Sequence, residues 1–171
     1  QKDIPRGVEV DSVPVDGTKC RYRTCYPVEL LPLTLDKLEV VRTAGGSQVE
    51  LSFKLDARVQ VDRLSFDKVR CFLQGEEYIT TNFFLWLFRY LDGVTVSALH
   101  EQTSGKSFRL GADSVKPVGF APDEAVIPYP PNAFTGYRLL QEYFALPEKF
   151  LFFDIFGLAP IAGFEDATGF S

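Results

Sequence analysis

Between residues 49 and 56 apolar and polar side chains alternate without a break: Val49, Leu51, Phe53 and Leu55 against Glu50, Ser52, Lys54 and Asp56. A period of two puts successive side chains on opposite faces of an extended chain, so this segment reads as a strand with one face buried and one wet. Lys37–Arg42 is a second extended run. Thr43-Ala44-Gly45-Gly46-Ser47 between the two has the small, glycine-rich composition of a hairpin turn. A chain with such a hairpin has to supply something apolar to cover it.

The supply is aromatic. The 171 residues include 16 Phe, 7 Tyr and 1 Trp, and 46% of the chain is hydrophobic, enough for a core without staples or metal. Val8–Val15, Thr18–Tyr26 and Val28–Leu35 read as short extended segments, with a turn at Asp16-Gly17 and with Pro27 and Pro32 marking a sheet edge. Val69, Cys71 and Leu73 read as the inward face of another strand. Further strands are expected at Val94–Ala98, Phe108–Leu110 and Val115–Phe120.

Two helices interrupt the strands. The first is expected over about Glu77–Leu91, with Glu76 and Glu77 at its start, Arg89 near its end and Gly93 as a C′ glycine. Ile79, Phe83, Trp86, Leu87 and Tyr90 form a stripe at helical spacing, and so apolar a helix should be covered on most sides. The second is expected over about Thr135–Ala145, capped by Asn132 or Thr135 and stopped by Pro147. Lys149–Phe156, apolar on both faces except at Asp154, reads as the central strand of a packed sheet.

The expected fold class is α+β, mainly β: a mostly antiparallel β-sandwich-like core with two interposed aromatic-rich helices packed on it. It is expected as a single domain or as two small subdomains sharing a core, with a subdivision near 115–135. The chain begins Gln1-Lys2 and contains no Met, which reads as a piece excised from a longer subunit.

Composition removes several functions. A net charge of −5 with scattered Lys and Arg argues against nucleic acid and against an anionic membrane surface. There is no apolar run long enough to span a bilayer. Cys20, Cys25 and Cys71 have neither metal-ligand spacing nor an even count, so they read as small apolar cysteines of a reducing compartment. His100 is the one histidine, and a triad or a facial metal site needs partners that it lacks. Ser104-Gly105-Lys106-Ser107 ends like a phosphate loop, but His100 stands where the motif needs its first glycine. The doublets Glu76-Glu77 and Asp123-Glu124 point apart on an extended chain or loop, which is not the facing pair of a glycosidase. No catalytic residue, cofactor or metal is expected.

Two stretches carry a family likeness. Residues 15–30, VDGTKCRYRTCYPVEL, resemble the G-x-x-C-R-F/Y-R-T-x-Y-P-V segment of the TssF family of type VI secretion baseplate subunits. Residues 136–154, GYRLLQEYFALPEKFLFFD, resemble that family's G-Y-R-L-L-Q-E-Y-F-A-F-P-E-K-F-L-F-F signature, with Leu146 in place of the usual Phe. Between them, Val69–Leu73 and the aromatic helix are similar to its L-R-F-F-L-x-G strand and helix. The resemblance implies a structural, non-enzymatic role in the wedges of a contractile, phage-tail-like baseplate. It implies TssG, TssE, TssK and the VgrG spike as partners, self-association in the wedge, and a cytoplasmic place docked near the inner membrane.

Read on helical geometry, the signature presents Tyr137, Leu140 and Phe144 on one side of its helix and Leu139 and Tyr143 beside them. Pro147 then turns the chain into Phe150 and Phe152. These rings are expected as core. Arg138, Gln141, Glu142, Glu148 and Lys149 are expected as the polar rim. Arg21, Arg23, Arg138, Glu142, Glu148 and Lys149 are the candidate interface residues, Arg21 and Arg23 foremost because Arg is enriched at interfaces. Two alternatives stay open: a carbohydrate- or ligand-binding β-sandwich module, and a hydrolase whose distant carboxylates converge.

Overall fold

The computed structural model describes residues 2–56, 59, 64–99, 106–130, 132–164 and 167–171. His100 and residues 101–105 of the phosphate-loop look-alike lie outside the described residues. In chain order the strands are β1 (Lys2–Ile4), β2 (Glu9–Asp11), β3 (Arg21–Arg23), β4 (Val28–Leu30), β5 (Leu33–Thr43), β6 (Gly46–Leu55) and β7 (Lys68–Phe72). Helix α1 (Glu77–Arg89) follows, then β8 (Gly93–Leu99), β9 (Ser107–Gly111) and β10 (Val115–Pro117). Helix α2 (Thr135–Ala145), a 3-10 turn (Pro147–Leu151), β11 (Phe152–Phe156) and β12 (Gly169–Phe170) complete the chain. The class is α+β, mainly β, and every register described between paired strands is antiparallel.

The chain divides into two compact units, each assembled from separated segments: Gln1–Leu31 with Val118–Phe152, and Pro32–Pro117 with Phe153–Ser171. The first unit holds two small ribbons, β1–β4 and β2–β3, together with α2. The second holds a five-stranded sheet in the order β5-β6-β12-β8-β9 and a three-stranded sheet in the order β10-β11-β7. Sandwich-like layering is confined to this unit. Val69 and Ile155 of the small sheet and Phe53, Val96 and Phe170 of the large one line a common interior cleft. Phe170 stacks on Phe53 with ring centres 5.2 Å apart and lies 6.1 Å from Phe66. Gly169 is required where it stands, because a Cβ there would collide with the Phe53 carbonyl oxygen.

The hairpin forms as expected, and its arms reach further than the sequence suggests: Thr43 pairs Gly46, which leaves a two-residue connection, Ala44-Gly45. Its two arms are less buried than the alternation implies. Leu35, Leu38, Val40 and Val41 of β5 are exposed, Val49 of β6 is 39% exposed, and Ser52 on the supposedly wet face is buried. Gly93 is not a C′ glycine. Tyr90 closes α1 by donating its N–H to the Trp86 carbonyl (2.9 Å), and Gly93 instead opens β8 opposite Gly111. α2 spans Thr135–Ala145 as expected, but Phe134 occupies its N-cap and no side chain caps it. The apolar run from Lys149 is split: Phe150 lies in the 3-10 turn, and the strand begins at Phe152, where β11 runs in the middle of its sheet.

Candidate interaction surfaces and the polar clasp behind them

α2 is turned round relative to the sequence expectation. Arg138, Glu142 and, from the turn below, Lys149 are 2%, 1% and 3% exposed, while Tyr137, Leu140, Tyr143 and Phe144 are outside, Phe144 at 82%. Arg138, Glu142 and Lys149 are therefore neither a polar rim nor an open interface, and of the residues expected as signature core Tyr137, Leu140, Tyr143, Phe144 and Pro147 are outside. Spacing i, i+4 puts Arg138 and Glu142 on one face. That face is the inner one because two backbone segments and one ammonium give it partners. Glu142 Oε1 accepts from the N–H groups of Val126 (2.7 Å) and Ile127 (3.0 Å), and Oε2 accepts from the Lys149 ammonium. Arg138 Nη2 donates to the carbonyls of Phe120 (3.1 Å) and Ala121 (3.3 Å). Its Nη1 lies 3.7 Å from Glu142 Oε2 and makes no hydrogen bond.

The clasp holds the loop from Gly119 to Ile127 against the helix, and other groups tighten it. Glu124 Oε2 accepts from the N–H groups of Gly119 (2.7 Å) and Ala121 (3.1 Å). Arg6 donates to the Asp123 and Ala125 carbonyls (2.8 and 2.6 Å), and the Tyr26 hydroxyl donates to the Glu124 carbonyl (2.8 Å). Gly119 has φ +103°, and a Cβ there would sit 3.1 Å from the Lys149 carbonyl oxygen, so conformation and space both demand glycine. Burial alone pushes the Glu142 carboxyl up. The Lys149 hydrogen bond and then the Ile127 and Val126 N–H groups reverse this and hold it below its ordinary range.

Pro147 and Glu148 are exposed, Phe150 is buried and Phe152 half-buried. Phe150 packs on Phe120 (5.0 Å) and Tyr143 (6.1 Å). Outside, the rings of Phe134 and Tyr137 meet edge-on at 5.6 Å and those of Tyr143 and Phe144 at 5.8 Å, two aromatic pairs on the outer face. Arg21 and Arg23 are exposed on β3, each already facing acids across the ribbon. Arg23 bonds Glu9 at 2.9 Å, and Arg21 lies 3.8 Å from both Glu9 and Asp11.

The second unit has its own buried acid, which the sequence showed only as an interruption. Asp154, 3% exposed, is bridged by Arg70 Nε (2.7 Å) and Nη2 (2.8 Å) and by Lys68 (3.2 Å). Burial raises its pKa, but the Arg70 hydrogen bond and charge outweigh this and hold it below its ordinary value. Lys68 and Arg70 stand two apart on β7, a spacing that places both on one strand face. Cys71, on the other face, has its thiol pushed up to about 11, by burial first and then by the Asp154 charge, so it is a poor nucleophile. α1 buries Thr80 and half-buries Phe83, Phe84, Leu87 and Phe88, but Trp86 is 58% exposed, with Tyr78, Ile79, Leu85 and Tyr90 also outside. Trp86 is thus a surface residue and not a core one. Among the described residues no group of three His, Cys, Asp or Glu side chains is placed to hold a metal ion.

The family model for type VI secretion system TssF matches residues 1–170. The type VI secretion system component TssF1 of Pseudomonas aeruginosa is 33% identical over 158 residues, covering 85% of this chain and 25% of that protein. A chain of the TssK-TssF-TssG baseplate subcomplex solved by cryo-electron microscopy superposes with a TM-score of 0.78 at 27% identity, covering 99% of this chain and 32% of that one. The chain thus spans about a quarter of the curated relative and about a third of the solved one. The family model and the solved fold each span nearly the whole chain, and the chain belongs to the TssF family.

Proposed function

We propose that this chain is a structural part of a contractile, phage-tail-like secretion baseplate, where it scaffolds wedge assembly through protein–protein contacts and performs no bond chemistry. The observation that carries the reading is the outer face of α2, where Tyr137, Leu140, Tyr143 and Phe144 are exposed while Arg138 and Glu142 are buried. Exposed large apolar side chains gathered on one helix face favour an interaction site, and aromatic side chains are enriched where partners bind. The solved assembly that this fold matches joins TssF to TssK and TssG, which makes those two the first partners to test. Contacts with TssE and the VgrG spike, self-association in a wedge, and a cytoplasmic position at the inner membrane belong to the same reading. Among the described residues no helix is long and apolar enough to cross a membrane. Neither the family match nor the solved assembly favours the carbohydrate-binding alternative.

The test is capture of TssG and TssK by the full-length protein carrying Tyr137→Asp and Phe144→Asp. Both positions are exposed, so the melting temperature should stay within a few degrees. A charge at the centre of an apolar contact should weaken capture at least about tenfold. Undiminished capture of both partners would remove α2 as the contact surface.

A further inference from the structure

β12 enters the five-stranded sheet between β6 and β8 and pairs for three residues. Gly169 and Phe170 face Lys54 and Phe53 on one side and Leu99 and Ala98 on the other. Ser171 exchanges both hydrogen bonds with Ser97, at 2.7 and 2.9 Å. Past that point β6 runs on through Leu51 to Gln48 and β8 through Val96 to Gly93, with no described strand between them. The cleft of the second unit, about 250 Å³, is lined by these two strand segments and by Val69, Ile155 and Leu158.

The backbone in this gap is set for pairing. In an antiparallel ladder alternate residues turn their N–H and C=O to the same side. Ser97 turns both toward β12, so Thr95 and Gly93 point into the gap. The Leu55 N–H donates to the Thr168 carbonyl (3.0 Å), so Phe53, Leu51 and Val49 on β6 also point toward the β12 lane. Among the described residues these groups have no strand partner; two such facing edges are a template for a strand, and leaving the groups unpaired costs free energy wherever water is excluded. The side chains agree. Phe170 lies in a row with Phe53 and Ala98, and Ser171 in a row with Ser52 and Ser97. The next rows alternate in the same way: Leu51 with Val96, Glu50 with Thr95, Val49 with Val94.

We propose that this gap is a strand slot, and that its occupant is the backbone continuing β12 past Ser171 in a chain of the length that TssF relatives have. β12 already supplies the lane, direction and register. A covalently continuous segment also meets the slot at an effective concentration that a separate strand does not have. Its first and third residues after Ser171 stand in apolar rows facing Val69, Ile155 and Leu158, and its second stands in the polar row. The slot accounts for the partial exposure of Val49 in a strand whose alternation calls for burial.

Hydrogen exchange at single-amide resolution tests this, comparing the 171-residue chain with the full-length protein, each alone. The amides of Val49, Leu51, Gly93 and Thr95 should exchange about a hundredfold or more slowly in the full-length protein. Equal rates would overturn the proposal. So would protection that appears only on adding TssG or TssK, or only at raised concentration of the 171-residue chain, which would give the slot to a partner's strand or to a second copy. Val49→Asp places a carboxylate in the apolar row. It should leave the 171-residue chain folded and abolish protection of Gly93 and Thr95 in the full-length protein, and protection that survives it would count equally against a seated strand.

Discussion

The two units solve the same problem with different materials. Among the described residues the first buries two apolar side chains, Val118 and Phe150, whereas the second buries eleven, from Leu64 and Phe66 through Ile161 to Phe170. What the first unit lacks in apolar core it makes up with charge: Arg138, Glu142 and Lys149 stand where rings were expected, and the rings stand outside. Each unit also has one buried acid. Glu142 keeps its cations with it, Arg138 and Lys149 being 3% and 2% exposed at the side chain. Asp154 is as deeply buried, but Arg70 and Lys68 retain 29% and 41% of their side-chain exposure. The cost of losing an acid depends on what its loss strands in the interior, so two equally buried carboxylates are not equally important.

The sharpest way to break this comparison is Glu142→Gln. Two cations would stay buried without a counter-charge, and the expected loss is about 3–5 kcal/mol. It should be read as faster exchange of the Val126 and Ile127 amides and as a lowered denaturation midpoint. A loss under 1 kcal/mol would mean that the clasp is ornamental and that another interaction holds the loop from Gly119 to Ile127.

Asp154→Asn should cost less, about 1–3 kcal/mol, the range for removing the charged acceptor of a hydrogen bond. Arg70 and Lys68 can swing into solvent when the charge is gone. A loss equal to that of Glu142→Gln would show that stranded cations are not what separates the two sites.

Acid titration gives a graded version of the same contrast. Both carboxyls lie below their ordinary values of 4.5 and 3.8 in the folded chain. The folded state therefore binds fewer protons than the unfolded one in this range. The stabilisation is fully present above pH about 5 and is lost as pH falls through the depressed values. Denaturation midpoints measured from pH 6 downward should fall for the parent chain and fall less steeply for Glu142→Gln, which has one such carboxyl fewer. Parallel curves would mean that Glu142 does not contribute to acid sensitivity.

How much of this was legible in the sequence differs between the units for a physical reason. In the second unit local signals placed the elements, although burial departed from the alternation along β5 and β6 and from the helical stripe at Trp86. A hairpin turn within Thr43–Ser47, the start of α1 at Glu77 and the central placement of β11 follow from turn chemistry, dipole complementarity and a run apolar on both faces, while α1 ends at Arg89, short of the expected Leu91. In the first unit the limits of α2 were equally legible, but its orientation was not. Periodicity states that a helix has two unlike faces and leaves unstated which one is inside, and the general preference for apolar burial decided wrongly. The available hint was Arg138 and Glu142 at i, i+4 with Lys149 just past Pro147, a set of charges that can satisfy one another. Asp154 was missed for a related reason, since its partners on β7 are 84 and 86 residues away in sequence. The family signature pointed to the right family, while the packing inferred from it pointed the wrong way. An exposed aromatic helix face and a buried one give similar patterns in a single sequence.

The smallest expected effect is the one that separates these two meanings of an aromatic residue. If Phe144 were core, truncation to Ala would cost about 3–5 kcal/mol. At 82% exposure it removes almost nothing from water-excluded packing, and Phe144→Ala should change stability by no more than about 0.5 kcal/mol. Its contact with the Tyr143 ring, 5.8 Å between centres, is edge-on and open to solvent, so its loss stays within that range. The measurement is a denaturant titration of the 171-residue chain beside Phe144→Ala, with the slope compared as well as the midpoint. An unchanged slope shows that the folded and unfolded surfaces are those of the parent. A shift of several kcal/mol would return α2 to the orientation its periodicity suggests and place Arg138 and Glu142 back on the outside.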